Sequence, residues 1–134
     1  MTHLDVVGAI LIYQGKILCM QRKVGQNAAT SLKFEFPGGK IDPGETRTQA
    51  LERELAEELD LHLTIQEEDF YQEVHHQYPG FTITMYVYQC RLPSPRFVQR
   101  EHVSHAWLTP KELPTLDWAP ADRYVVAKLK DDTV

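Results

Sequence analysis

The chain has 134 residues, the length of one domain and enough to bury about two-thirds of the surface its unfolded form exposes. With 43% hydrophobic and 25% charged residues it has the composition of a folded soluble protein, and no run approaches the ~20 apolar residues of a membrane span. A net charge of -5 argues against a nucleic-acid polymer as partner, which would favour a basic face, but is compatible with a small phosphorylated ligand held through a divalent cation.

The start, Met1-Thr2-His3-Leu4-Asp5, lacks the basic and long apolar regions of a secretory signal, so a cytoplasmic location is expected. Cys19 and Cys90 lie inside apolar stretches, and reduced thiols are favoured over a disulfide. Val6–Tyr13 and Lys16–Gln21, joined by Gln14-Gly15, read as a hairpin. Residues 24–32 are small and polar, a loop. Lys33–Phe36 alternates polar and aromatic side chains, a short strand stopped by Pro37-Gly38-Gly39. Asp42-Pro43-Gly44-Glu45 is a turn, and Thr46 with Gln49 forms a capping box opening a helix to Leu59. Leu51, Leu55 and Leu59 are its buried stripe.

Phe70–Tyr78 and Phe81–Leu92 are strands around Pro79-Gly80. In the second, Phe81, Ile83, Met85 and Val87 alternate with Thr82, Thr84, Tyr86 and Tyr88. Pro93-Ser94-Pro95 breaks the chain before a strand at Val103–Leu108. Thr109-Pro110 opens a short helix, and a last helix starts near Pro120. Strands and helices in this order predict an α+β domain over residues 1–134, an α/β/α sandwich with a mixed β-sheet between helices.

The chemistry-bearing segment is 38–61. Glu54, Glu57 and Glu58 stand at i, i+3 and i+4, so their carboxylates share one helix face, where like charges repel. They flank the leucine stripe, which puts them near the packing boundary instead of opposite it. Glu45 is a fourth acid just upstream, and Arg53 at i-4 from Glu57 offsets part of the repulsion. Gly38-Gly39 allows close backbone approach. Arg100-Glu101-His102 adds further polar groups that folding could bring alongside. Clustered carboxylates raise one another's pKa unless a cation lies between them, and a hard ion such as Mg²⁺ suits an all-oxygen donor set. The alternative is a solvated acidic helix face.

Gly39-x5-Glu45-x7-Arg53-Glu54-Leu55-x-Glu57-Glu58-x-Asp60-Leu61 resembles the Nudix hydrolase box, with its six fixed glycine and charged positions in register. Asp60 replaces the family's glycine; Asp tolerates a left-handed cap better than most residues, so a local cost is expected without loss of chemistry. Phe34–Lys40 and Leu116–Asp122 resemble the MutT-type branch, so the similarity covers essentially the whole chain. The resemblance implies the Nudix fold and a Mg²⁺-dependent hydrolase, Mn²⁺ being a possible substitute, that cleaves a nucleoside triphosphate to monophosphate and pyrophosphate. The preferred substrate would be a normal or an oxidised or otherwise modified nucleotide.

The metal ligands it implies are Glu54, Glu57, Glu58, the Gly38 carbonyl and Glu101. Glu54 is the candidate that also orients or deprotonates water. Arg53 would hold the carboxylates, and Glu45 would be a ligand or an orienting partner. Arg22 matches a nucleotide-contacting position, the alternative being a surface arginine that follows the second strand. Lys40 faces either phosphates or solvent; Phe36 and Tyr78 either sandwich a base or belong to the core. Asp122 stands where MutT has Asn, within an Ala-Pro-Ala-Asp run shared with CTP-type pyrophosphohydrolases of the family. As an ionised acceptor it would favour base edges that offer donors, the alternative being a helix-capping role. Phe81 replaces an arginine of MutT, which weakens strict oxidised-purine recognition. His75, His76, His102 and His105 lack a zinc spacing and receive no role. Other readings are a Nudix hydrolase of a nucleotide sugar or dinucleoside polyphosphate, and a catalytically silent nucleotide-binding domain. The partner is a small nucleotide, with no membrane, and the chain a monomer or weak dimer. Residues 35–60 hold eight acids and three bases, so the whole net charge resides there.

Overall fold

The computed structural model describes residues 1–134. Its strands are β1 (Thr2–Tyr13), β2 (Lys16–Gln21), β3 (Phe34–Glu35), β4 (Gly38–Lys40), β5 (Phe70–Tyr78), β6 (Phe81–Arg91) and β7 (Ser104–Leu108). The helices are α1 (Arg47–Leu59) and α2 (Pro120–Leu129), with 3₁₀ turns at Glu67–Asp69 and Pro110–Thr115.

One mixed sheet runs β3-β2-β1-β6-β5. β1 and β6 are parallel along their length, Thr2 opposite Phe81 through Ile12 opposite Arg91. The sheet splits on the other side of β1. β2 pairs with β1 only at Ile12 and Tyr13, whereas β4 pairs with it at Val6–Gly8. Phe36-Pro37 crosses this split, held by the Ala9 N–H bond to the Pro37 carbonyl. β7 closes onto β2, with Gln21 opposite Ser104.

Both sheet faces are covered. Val7, Ala9, Leu11, Leu18 and Tyr88 pack against Leu51, Leu55 and Leu59 of α1. Ile10, Ile12, Met85 and Val87 pack against Val125, Val126 and Leu129 of α2. This is the expected sandwich: alternating side chains enter opposite cores, and β1 is apolar on both sides from Val7 to Ile12 because each side has a helix. Cys19 and Cys90 lie in different cores as buried free thiols, each pushed up to about 12 by burial.

Local signals translated well. Thr46 Oγ1 accepts from Gln49 N–H at 3.2 Å, and Thr46 N–H donates to Gln49 Oε1 at 3.0 Å. Asp60 caps α1 in the left-handed region at φ 54°, with Asp60 N–H bonded to Ala56 and Leu61 N–H to Leu55. Gly44, at φ 85° after Pro43, lets the Asp42–Glu45 turn close. One expectation is corrected: Gly38-Gly39 continues the sheet as β4 instead of stopping it. A Cβ on Gly38 would run into the Val7 carbonyl and come within 2.9 Å of Gly8 Cα, so glycine permits a pairing that strand propensity disfavours.

Candidate active site

The site lies where β4, the N-terminal end of α2 and the acidic face of α1 meet the split in the sheet. Burial separates the three helix carboxylates. Glu58 is buried, the Glu54 side chain is 15% exposed and that of Glu57 is 59% exposed. The leucine stripe sets this order, since Glu58 directly precedes Leu59 and turns furthest inward. Gly39 provides room for Glu54: a Cβ there would stand 2.5 Å from Glu54 Oε1 and 2.7 Å from Oε2.

Arg53 organises the other acids. Its Nε donates to Glu45 Oε2 at 2.7 Å and its Nη2 to Glu45 Oε1 at 3.0 Å, a bidentate pair. Nη1 donates to Glu54 Oε1 at 3.0 Å and to Glu57 Oε2 at 3.4 Å, while Nη2 also reaches the Lys40 carbonyl at 3.0 Å. Hydrogen bonds from Arg53 and from the Asp42 N–H hold the Glu45 carboxyl below its ordinary range. Glu45 is thus fully engaged by Arg53 and the turn.

Glu58 has no such partner, and its Oε2 is a buried oxygen without a hydrogen bond. Burial pushes its pKa up to about 9, reinforced by a hydrogen bond with Glu54 and the charges of Glu35, Glu54 and Glu101. An all-carboxylate set with an orphaned buried oxygen suits a hard divalent cation. In this conformation no three of these acids stand at chelating distance, because Glu54 and Glu57 turn toward Arg53.

Glu101 arrives on a loop that satisfies the end of α1. Val98 N–H donates to the Leu59 carbonyl, Arg100 N–H to that of Glu58, and Arg100 Nη1 to those of Ala56 and Glu57. These bonds serve the carbonyls a helix end leaves unpaired. They bring Glu101 and His102 to a depression of about 170 Å³ shared with Glu58, Glu35, Gly38 and Arg22. His102, given no role from sequence, is one of the groups that sequence reasoning missed. Its side chain is only 5% exposed, and its Nε2 lies 2.9 Å from Glu35 Oε2. Glu35, also missed, accepts from Arg22 Nη1 at 2.9 Å through its other oxygen. Glu35 alternates with buried Phe36 on a strand edge, but its two partners lie 13 and 67 positions away, and the latter separation carries no local signal.

Across the split opens a larger cavity of about 360 Å³. Arg22, Lys40, Phe36, Tyr78, Phe81 and Asp122 all line it, with Gly38 and Gly39 on the side of the carboxylates. Phe36 and Tyr78 are built into its wall. Phe36 stacks on Trp118 at 4.6 Å between ring centres, and Tyr78 on Phe81 at 5.0 Å. The Tyr78 hydroxyl accepts from Ala121 N–H and so anchors the start of α2. Both are core residues that also present an edge to the cavity. Lys40 is exposed at the rim.

Of the readings of Asp122, the structure corrects the helix-capping one. It does not cap its helix with a side-chain bond at the N-cap; Oδ1 accepts from Phe36 N–H at 3.1 Å. Burial and the nearby Glu35 charge push its carboxyl well above the ordinary range, against the pull of the Phe36 N–H and Arg22. A carboxyl driven toward its neutral form donates as well as accepts, as Asn does.

The two-sided sandwich, the split sheet and the carboxylate-bearing helix beneath a cavity together define a Nudix-type fold. Residues 2–129 match the NUDIX domain family model. The chain is 34% identical to a CTP pyrophosphohydrolase of Escherichia coli (strain K12), over 91% of this chain and 87% of that protein. It is also 34% identical to an 8-oxo-dGTP diphosphatase of Haemophilus influenzae, over 89% and 85%. The solution structure of the E. coli ORF135 protein superposes with a TM-score of 0.78 at 32% identity, covering 95% of this chain and 88% of that one. The chain belongs to the Nudix hydrolase family, on its MutT-like branch.

Proposed function

We propose that the protein is a Mg²⁺-dependent nucleoside triphosphate pyrophosphohydrolase that releases a nucleoside monophosphate and pyrophosphate. The observation that carries this reading is the orphaned Glu58 carboxylate, with Glu54 and Glu101 beside it, next to a cavity with a polar anchor at Asp122. The similarity to a CTP pyrophosphohydrolase and to 8-oxo-dGTP diphosphatases supports a nucleotide substrate.

Glu54, Glu57, Glu58, Glu101 and the Gly38 carbonyl are the groups we assign to the metal, Mg²⁺ or Mn²⁺. A divalent ion bound there supplies charge neutralisation for the phosphates and a more acidic water. Glu54 is assigned to orient or deprotonate the attacking water. Arg53 keeps Glu54 and Glu45 in place without touching substrate, and positioning is the main requirement of phosphoryl transfer. Arg22 and Lys40 face the nucleotide from the rim. Phe36 and Tyr78 give the base an apolar wall, and Asp122 reads its edge.

The test is a panel of normal and oxidised triphosphates incubated with the protein in Mg²⁺, with products identified. Pyrophosphate and monophosphate are expected; orthophosphate release, or no turnover of any triphosphate, refutes the proposal. Glu54→Gln should lower kcat by about 10²–10⁴-fold with the fold intact.

A further inference from the structure

Arg22 lies on the boundary between the two depressions and lines both. A side chain there can bridge base side and phosphate side, but only if it is aimed. The Arg22 side chain is 45% exposed, and its guanidinium makes one protein hydrogen bond, to Glu35 Oε1. Glu35 is therefore the group that aims it. Glu35 is itself a long, rotatable side chain, and its second oxygen is held by His102 Nε2.

A carboxylate oxygen accepts, so Nε2 carries the proton of this bond and Nδ1 is left as the second ring nitrogen. Nδ1 is buried with no partner. Buried polar groups are normally hydrogen-bonded, so a histidine with one free nitrogen owes its polar anchoring to the single bond it makes. His102 spends its one bond on Glu35. It can do so because the loop that carries it is clamped on the end of α1 by Val98 and Arg100.

We infer that His102 is a positioning residue for nucleotide binding: through Glu35 it fixes the guanidinium of Arg22 at the junction of the two depressions. The chain of contacts runs from the α1-docked loop through His102 Nε2, the two oxygens of Glu35, and Arg22 Nη1. It links the segment bearing Glu101 to the wall of the base cavity without passing through any carboxylate of α1. This inference rests on the nucleotide reading above.

The test compares wild type with His102→Leu, His102→Gln, Arg22→Ala and the Arg22→Ala/His102→Leu double variant. Two readouts are used: kcat and KM for the best triphosphate of the panel, and calorimetric binding of the matching monophosphate in metal-free buffer. His102→Leu should weaken monophosphate binding and raise KM by about tenfold, the worth of one hydrogen bond to a charged group. kcat should stay within about threefold, because the loss falls on binding. Gln places an N–H near the position of Nε2, so His102→Gln should restore both values to within about twofold of wild type. In the Arg22→Ala background, His102→Leu should add less than about twofold, the signature of two residues acting as one unit.

Wild-type binding by His102→Leu overturns the inference, as do additive effects in the double variant or a failure of His102→Gln to rescue. A fall in kcat with unchanged monophosphate binding also overturns it, and would move the role to the neighbouring Glu101. Should His102→Leu not fold, His102→Phe makes the same test, since it keeps a planar ring in place and removes the Nε2 donor while leaving the Glu35–Arg22 pair untouched. If wild type turns over triphosphates and the variants match it, only this inference fails. If wild type neither binds nor hydrolyses any nucleotide, the proposed function fails with it.

Discussion

Gly39→Ala separates the chemistry of the site from the stability of the fold. The new Cβ would stand 2.5 and 2.7 Å from the two Glu54 oxygens, whereas ordinary contact begins at 3.4 Å. Glu54 must therefore retreat by roughly 1 Å, a displacement that can cost about 10²-fold in rate where positioning carries catalysis. The retreat also strains the 3.0 Å bond from Arg53 Nη1 and the contact with Glu58. The effect on folding is small because two terms oppose. Crowding a flexible side-chain end costs about 1 kcal/mol, and replacing glycine within an element returns about 0.5–1 kcal/mol. Melting temperature should thus stay within about 3 °C of wild type while kcat falls about 10²-fold, measured with saturating Mg²⁺ and triphosphate. A kcat within about threefold of wild type would refute the reasoning, because Glu54 would then not need its present place. A loss of rate that follows unfolding would refute it equally.

Glu58, ordinarily near 4.5 and here pushed up to about 9, contributes stability that is full below pH 4.5 and lost as pH rises toward 9. In metal-free buffer the melting temperature should fall more steeply from pH 5 to pH 9 in wild type than in Glu58→Gln, and saturating Mg²⁺ should remove most of the difference; equal slopes would show that Glu58 is not the titrating group. Asp122 has the same sign, its carboxyl being raised by burial and by Glu35, so Asp122→Asn should be more stable than wild type at pH 8 and lose that advantage at pH 5 in urea melts. The same variant should keep the order of preference in the base panel, because a neutral carboxyl already offers the donor and acceptor of Asn; a changed order would show that Asp122 reads the base as an ionised acceptor. Asp60→Gly relieves a left-handed residue at φ 54° and should gain about 0.5 kcal/mol in urea unfolding, with activity unchanged; a loss would mean that the Asp60–Arg100 pair at 3.7 Å outweighs the backbone term.

The parts legible in the sequence are those whose cause lies within a few residues. The Thr46–Gln49 box, the Leu51/Leu55/Leu59 stripe and the Pro43-Gly44 turn each depend on side chains and dihedrals close in the chain, and each is found where the pattern puts it. Asp60 belongs with them, since a left-handed cap is a local event. The strand at Gly38–Lys40 was hidden because its pairing depends on how near β1 can approach, which no propensity encodes. The Glu35 hub was hidden for a related reason. Its bonds to Arg22 and His102 exist only once β3 has joined β2 and the 98–103 loop has docked on α1. Asp122 shows a third limit: the sequence identified the position, but the proton affinity depends on burial created by Phe36, Tyr78 and α2 together.

The location of the charge explains why one carboxylate is left over. Residues 35–60 carry eight acids against Lys40, Arg47 and Arg53. Lys40 points to the rim, and Arg47 lies over the Tyr86 ring at 3.7 Å, so neither neutralises the acidic face of α1. Arg53 alone serves Asp42, Glu45, Glu54 and Glu57. Glu58 lies beyond it, buried, with Glu35, Glu54 and Glu101 as its charged neighbours. A second arginine beside Glu58 would pair its unpartnered Oε2 and, on the metal assignment proposed above, compete with the cation for it. The deficit is local: Arg53 pairs with four of the acids, and the carboxyl it leaves uncovered is the one we propose for a divalent ion.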